Sequence, residues 1–322
     1  MARSRRLRIT ALIACFLVAG CRSDAGSTSS LAAGTKIRVP DHYDLTSMAW
    51  RPDGSSLAVL GEYASGRVFT VSKGRFRPLT ASGTDIRSFG WMPGGQSILA
   101  AEEVRSGPDP DDIYASAQSN LVEINLNGQV IRTVALQRPL LLRYGLAVGR
   151  DGDFVIAAGG PPAPGGFDFD AQLFRIDLAS GAVGDLPNPE GVHLSGPQFI
   201  GDHQLVAFAD GEDDKESNDR DHLVVVDLPT GTSHRLSPPG LRPQGYSVVP
   251  GTQDVVYRAW DTTEGSVRHA LWRQSASDQQ PTMLDDDNEA HEVAVHPDGK
   301  RVAYEQLDIP MPPKQWIHFE QL

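Results

Sequence analysis

Hydrophobic positions in this chain gather into short, almost unbroken runs separated by Pro, Asp and Gly, and one arrangement of them returns six times. Met48-Ala49-Trp50-Arg51-Pro52-Asp53-Gly54 is followed by an apolar run at 57–60, and Phe89-Gly90-Trp91-Met92-Pro93-Gly94-Gly95 by one at 98–101. Leu146-Ala147-Val148-Gly149-Arg150-Asp151-Gly152 precedes 154–157, and a degenerate fourth copy, Pro197-Gln198-Phe199-Ile200-Gly201-Asp202, precedes 205–208. Val248-Val249-Pro250-Gly251 leads into 255–257, and Val293-Ala294-Val295-His296-Pro297-Asp298-Gly299 into 302–304. With positions 52, 93, 150, 200, 250 and 297 taken as equivalent, the spacings are 41, 57, 50, 50 and 47, which suit four-stranded propeller blades with loops. Pro ahead of Asp-Gly or Gly-Gly presets a tight turn in which Gly takes the positive φ. Runs that are apolar at every position suit strands buried on both faces.

A third strand with alternating character follows in most copies, as in 121–126, 173–178 and 223–228. Asn127-Gly128 after the first of these is a strong hairpin signal, and a more polar fourth strand comes next. The sixth copy reaches only its third strand, Trp316-Ile317-His318-Phe319, before the sequence stops. Lys36-Ile37-Arg38-Val39 stands ahead of the first copy with no blade of its own. Used as the fourth strand of the last blade, it closes the ring and removes the exposed edges. The expectation is an all-β, six-bladed β-propeller over residues 36–322.

Trp50-Arg51-Pro52-Asp53-Gly54 and His296-Pro297-Asp298-Gly299-Lys300 resemble the W-S-P-D-G-K repeats of TolB-like six-bladed propellers, a WD40-like repeat also found in the propellers of prolyl-oligopeptidase relatives. The resemblance covers residues 36–322, is sharp in copies one and six and blurred in three and four, and speaks to fold more than to function. TolB carries an α/β domain before its propeller and is not lipidated, so its place in the Tol–Pal envelope system is not carried over. The hydrolase domain of the prolyl-oligopeptidase relatives has no room here.

The first 20 residues read as a secretory signal: Arg3, Arg5, Arg6 and Arg8 precede an apolar run at 9–20. That run is too short to span a bilayer, which takes about 20 residues. Its end, Val18-Ala19-Gly20-Cys21, resembles the bacterial lipobox, which implies cleavage before Cys21, thioether lipidation of its sulfur and acylation (palmitate-type) of the new amino terminus. Several chains anchor stably where one does not. The alternative is an ordinary signal peptide cut near Ala19. Residues 22–35, mostly Ser, Gly, Ala, Thr and Asp, read as a flexible tether. This places the protein outside the cytoplasmic membrane. Because Arg22 rather than Asp follows Cys21, the expected address is the periplasmic face of the outer membrane in a diderm, or the outer leaflet of the plasma membrane in a monoderm.

Composition narrows the chemistry. The chain has 29 basic and 41 acidic residues and a net charge of −12; without the four leader arginines, 25 bases face 41 acids and the charge is −16. Such a surface repels phosphate backbones and argues against nucleic acid. Apart from Cys15 in the leader, Cys21 is the one cysteine, which excludes disulfides and thiolate metal sites in the body. No Gly-x-Ser-x-Gly elbow, phosphate-binding loop or His-Glu-x-x-His occurs. The acidic stretch 210–221 offers oxygen ligands for calcium, yet its spacing is not that of an EF-hand; a solvated loop is the plainer reading.

In a propeller, the links between second and third strands share one face with the links between blades. The former are long here, at 104–120, 159–171, 211–221, 261–268 and 308–315, and long loops mark binding faces. Asp109, Asp111, Asp112, Tyr114, Phe167, Asp168, Asp170, Asp213, Asp214 and Asp261 gather on that face as candidate binding residues, with ligand-free loops as the alternative. His42, His193 and His291 fall in blade-to-blade links beside carboxylates and are candidate ligands for a transition metal at the channel mouth; three unrelated surface histidines is the alternative. Trp50 and Trp91, at equivalent positions of innermost strands, are expected to pack between blades. Together these features suggest a monomeric, lipid-anchored scaffold that binds an envelope protein partner without catalysis, and touches the membrane only through its anchor. The competing reading is an enzyme or metal-dependent binder of small ligands, lactonase-like or sugar-binding, at the channel mouth.

Overall fold

The structure is a computed structural model that describes residues 31–41, 43–62, 65–106, 116–162, 171–188, 191, 193–210, 221–261, 268–278, 280–286, 292–308 and 314–322. Every regular element among them is a strand. The chain opens with β1 (Thr35–Arg38) and then lays down blade one as β2 (Asp44–Trp50), β3 (Leu57–Glu62), β4 (Gly66–Ser72) and β5 (Arg75–Pro78). Blade two is β6 (Ile86–Trp91), β7 (Ser97–Ser106), β8 (Ser116–Asn125) and β9 (Val130–Val134). Blade three is β10 (Leu146–Val148), β11 (Phe154–Gly159), β12 (Gln172–Asp177) and β13 (Val183–Asp185); blade four is β14 (His193–Phe199), β15 (Gln204–Asp210), β16 (Asp221–Asp227) and β17 (Ser233–Arg235). Blade five is β18 (Leu241–Val248), β19 (Asp254–Asp261), β20 (Arg268–Ser275) and β21 (Thr282–Asp285). Blade six has β22 (Val293–Val295), β23 (Arg301–Asp308) and β24 (Lys314–Gln321) from the end of the chain, and takes β1 as its outer strand.

All six sheets are antiparallel and four-stranded, so the expected all-β six-bladed propeller with an N-terminal closing strand is what forms. β1 runs against β24 in the register Thr35↔Phe319 to Arg38↔Trp316. Leu31, within the stretch expected as tether, is already buried, and the Arg301 guanidinium donates to its carbonyl at 3.2 Å. The chain therefore enters the ring on the face of the short turns, beside the start of β23.

The second strands explain themselves. β3 reads Leu-Ala-Val-Leu-Gly-Glu with its first five residues buried, because each of its faces lies against a neighbouring blade. Six apolar clusters result, and each spans one seam between blades rather than one blade. Ala58, Leu60 and Val68 of blade one pack with Ile86, Phe89 and Ile98 of blade two. Val206, Leu223 and Val225 of blade four pack with Tyr246, Val255 and Tyr257 of blade five. No blade has a core without its neighbour.

The turn motifs tie the same seams on the short-turn face. The Trp50 indole N–H donates to the Ala294 carbonyl of blade six at 3.1 Å, and the Trp91 indole to Ala49 of blade one at 3.0 Å. His296 stands edge-on to Trp50, with ring centroids 4.6 Å apart. Gly54 has φ +71°, and a side chain there would meet the His296 ring at 2.4 Å, so the Pro-Asp-Gly turn needs its glycine twice over.

The hairpin of blade two departs from expectation. The sequence suggests a loop over 104–120, whereas β7 continues to Ser106 and β8 starts at Ser116, paired to each other at their ends. Arginines around Glu103 neutralise a charge that would otherwise interrupt a buried strand.

Replacing Trp50 with Phe keeps most of the ring contact but leaves the Ala294 carbonyl without its donor. Urea unfolding should show a loss of about 1–3 kcal/mol, with Trp91→Phe in the same range. A change under ~0.5 kcal/mol in both would show that the seams do not depend on these hydrogen bonds.

Candidate functional site

The innermost strands leave an axial channel with a cavity of about 620 Å3, lined from all six blades. Each innermost strand starts on the long-loop face, so residues at strand starts form one mouth and residues at strand ends form the other. At the long-loop mouth stand Thr46, Ser47, Arg87, Ser88, Arg143, Ser195 and Glu292. Toward the short-turn face the wall becomes apolar, with Trp50, Trp91, Val148, Phe199 and Val248. The two tryptophans thus serve as seam packing, as expected, and also as channel wall.

The charged groups at the mouth form two networks on opposite sides. On the side of blades two and three, the Glu103 carboxylate is wholly buried and receives Arg143 at 2.8 Å, Arg87 at 3.3 Å and Arg105 at 3.3 Å. Arg87 also meets Asp85 at 2.8 Å and Glu62 at 3.5 Å. Burial raises the Glu62 carboxyl above its ordinary range, with Arg87 acting against the shift. On the blade six side, Glu292 is half-buried at the channel wall and its carbonyl accepts the Glu305 amide at 3.0 Å. Loss of hydration, with Glu305 nearby, pushes the Glu292 carboxyl well above the usual carboxylate range. Glu305 is 2 % exposed; burial first, then Asp44, pushes it up to about 7, against the pull of the buried Arg258.

The residues singled out from the sequence fall differently. Asp109, Asp111, Asp112 and Tyr114, then Phe167, Asp168 and Asp170, then Asp213 and Asp214 lie outside the described residues. The hairpins β7–β8, β11–β12 and β15–β16 that carry them all end on the long-loop face. Asp261 closes β19 on that face but is 7 % exposed, opposite Leu241 and Arg268 in the ladder, so it is a covered residue rather than an open one. His193 opens β14, half-buried and opposite Asp210. His42 and His291 lie outside the described residues, as does Cys21. Among the described residues, no three or more His, Cys, Asp or Glu are grouped to hold a metal ion.

Sequence reading missed Arg87, Arg143, Glu103, Glu305 and Arg258, and noticed Glu292 only as a carboxylate beside His291. A signal was there: Glu103, Arg258 and Glu305 each extend an otherwise apolar second strand, where an unpaired charge is costly.

Comparison with solved structures identifies the ring. A TolB of Agrobacterium tumefaciens superposes with a TM-score of 0.59 at 12 % identity, over 89 % of this chain and 96 % of that one. The chain carries a TolB-like propeller. TolB from Acinetobacter baumannii matches with a TM-score of 0.52 at 12 % identity, over 89 % of this chain and 64 % of its own length. Oligogalacturonate lyase from Vibrio parahaemolyticus matches with a TM-score of 0.53 at 11 % identity, over 87 % and 81 %. At such identities the likeness is one of fold. No protein-family model matches the sequence, and no curated protein matches it.

Two outcomes follow for the TolB-like propeller. Glu103→Gln removes the charge that three arginines share and should cost about 3–5 kcal/mol in denaturant unfolding. Glu305 holds its proton more tightly folded than unfolded, so its contribution is fully present below pH 4.5 and is lost as pH rises through about 7. Stability curves of the parent and of Glu305→Gln, measured from pH 4 to 8, should therefore diverge in favour of the variant by ~3 kcal/mol over that window. Parallel curves would contradict the placement of Glu305.

Proposed function

We propose that this protein is a lipid-anchored, extracytoplasmic binding module that holds an envelope protein partner on its long-loop face, without catalysis. Two likenesses support the reading: the lipobox at residues 18–21 and the TolB-like ring. The observation that carries it is polarity of the ring. The chain enters on the short-turn face, where Leu31 is buried and held by Arg301. Nine residues separate Leu31 from Cys21, an extended reach of ~30 Å. A ring anchored through Cys21 would thus hang from its short-turn face and present the opposite face outward.

That outward face has the features of a contact surface. β7–β8 rises on it as a hairpin of ten residues per strand, against six for β3 or β11. The hairpins β19–β20 and β23–β24, eight residues per strand, rise on the same face across the channel from it. The acids in the loops they support, with a net charge of −16 for the chain after Gly20, suit a partner with a basic surface. The anchor would sit in the outer membrane of a diderm, facing the periplasm, or in the outer leaflet of a monoderm plasma membrane. A second activity, small-ligand binding in the channel, is favoured by the 620 Å3 cavity and its charged mouth.

Mild crosslinking in the native envelope, followed by purification through the anchored protein, tests the reading. The expected result is one partner in near-stoichiometric amount, lost when Asp109, Asp111, Asp112, Asp213 and Asp214 are changed together to Asn. Recovery of the protein alone, or a partner indifferent to those changes, would overturn it. Cys21→Ser should release the protein from the membrane fraction, and a variant that stays membrane-bound would contradict the anchor.

A further inference from the structure

The short-turn face carries one patch that closure of the ring does not require. β5 alternates across its sheet: Phe76 stands opposite Val71 and packs into the cluster of the seam between blades six and one, which also holds Leu31. Arg75 and Arg77 therefore lie on the other face of the strand, toward blade two. Both are exposed, as is Lys73 in the turn before them, and among the described residues none of the three meets a carboxylate. They stand in a chain whose acids outnumber its bases 41 to 25 beyond Gly20, so three neighbouring cations without counter-charges run against its composition. Blade two brings an apolar pair up beside them. Its β8–β9 turn lies against the residue after β5, since a side chain on Gly128 would come within 2.5 Å of the Leu79 carbonyl. Val130, just past that turn, stands opposite Ile124 of the seam between blades one and two. Val130 and Ile131 are 57 % and 55 % exposed, more than any other large apolar side chain among the described residues.

We propose that this rim of blades one and two rests on an anionic lipid surface, with headgroup phosphates on Lys73, Arg75 and Arg77 and the Val130 and Ile131 side chains dipped into the interface. The proposal rests on the lipid anchor at Cys21 and adds a second membrane contact to it. Position favours lipid as the occupant. The chain joins the ring at Leu31, in the same cluster as Phe76, and Cys21 lies within ~30 Å of extended chain from there. An anchored ring therefore carries this rim to the bilayer, on the face opposite the long loops. Charge favours it too: anionic headgroups repel the acidic body, so the ring turns its basic strip toward them. Cations beside exposed aliphatic side chains are the composition that seats a protein surface at the headgroup boundary. Held at both the tether and this rim, the ring keeps its long-loop face turned away from the membrane.

The test uses the protein purified from its native membrane and reconstituted into phosphatidylcholine vesicles with or without phosphatidylglycerol. A nitroxide is attached at Ile131→Cys and, for comparison, at Asp202→Cys in the β14–β15 turn of blade four on the same face. With phosphatidylglycerol present, the label at position 131 should become accessible to oxygen and shielded from a water-soluble nickel chelate, while the label at 202 stays in water. Changing Lys73, Arg75 and Arg77 together to Glu should cut the inserted population about tenfold or more, since each cation near an anionic surface is worth about fivefold in partitioning. Salt at ~0.5 M should do the same with the three cations in place, so the test stands even if the triple variant fails to fold. A label at 131 that stays in water with phosphatidylglycerol present, or one shielded regardless of salt and of those charges, would overturn the proposal. The intact mass of the same preparation reports lipidation of Cys21, which tells failure of the anchor from failure of this contact.

Discussion

A ring of blades holds its shape only where its last blade meets its first, and here that meeting is made by both ends of the chain. β1 supplies the outer strand of a sheet whose other three strands come from residues 293–321. The same seam carries the Trp50 bond to Ala294, the His296 ring against Trp50 and Gly54, the Arg301 bond to Leu31, and a Gln315 amide on the Asp44 carboxylate. Its apolar cluster joins Leu31, Ile37 and Val39 to Trp50, Leu57, Ile317 and Phe319. Four ladder pairs between β1 and β24 are a modest contact, but they are the ones that turn an open fan of sheets into a closed ring.

Closure matters for the site because the whole of it is drawn from more than one blade. Arg87 comes from β6, Glu103 from β7, Arg143 from the link before β10 and Glu292 from the link before β22. The order of blades around the axis sets where the blade-two pair, Arg143 and Glu292 stand relative to one another. The same holds for the apolar clusters, each of which takes its members from two neighbouring blades. Packing, closure and the charged mouth therefore stand or fall together.

The fold was legible in the sequence because it is written in local chemistry. Pro-Asp-Gly and Pro-Gly-Gly set the short turns, and the apolar runs after them could only be strands covered on both faces. Even the closing strand followed from counting, since Lys36-Ile37-Arg38-Val39 was the piece left over. The mouth was not legible. Glu103 gains its meaning from Arg87 and Arg143 as well as from Arg105 two residues on, and no short spacing relates it to the first two. Nor was the burial of Asp261 legible: β19 runs eight residues, well past the apolar run at 255–257, and takes Asp261 in as its last residue. Loop length singles out one face, while the charges at the channel mouth on that face come from strands and blade-to-blade links together.

The most direct test of this account is native-state hydrogen exchange at the closing strand. If closure governs the ring, the ladder amides of β1 and β24 exchange only through global unfolding, with the same free energy and denaturant dependence as those of β3, β11 and β15. Exchange of β1 by local fraying, at low free energy and without denaturant dependence, while the other blades keep full protection, would contradict it.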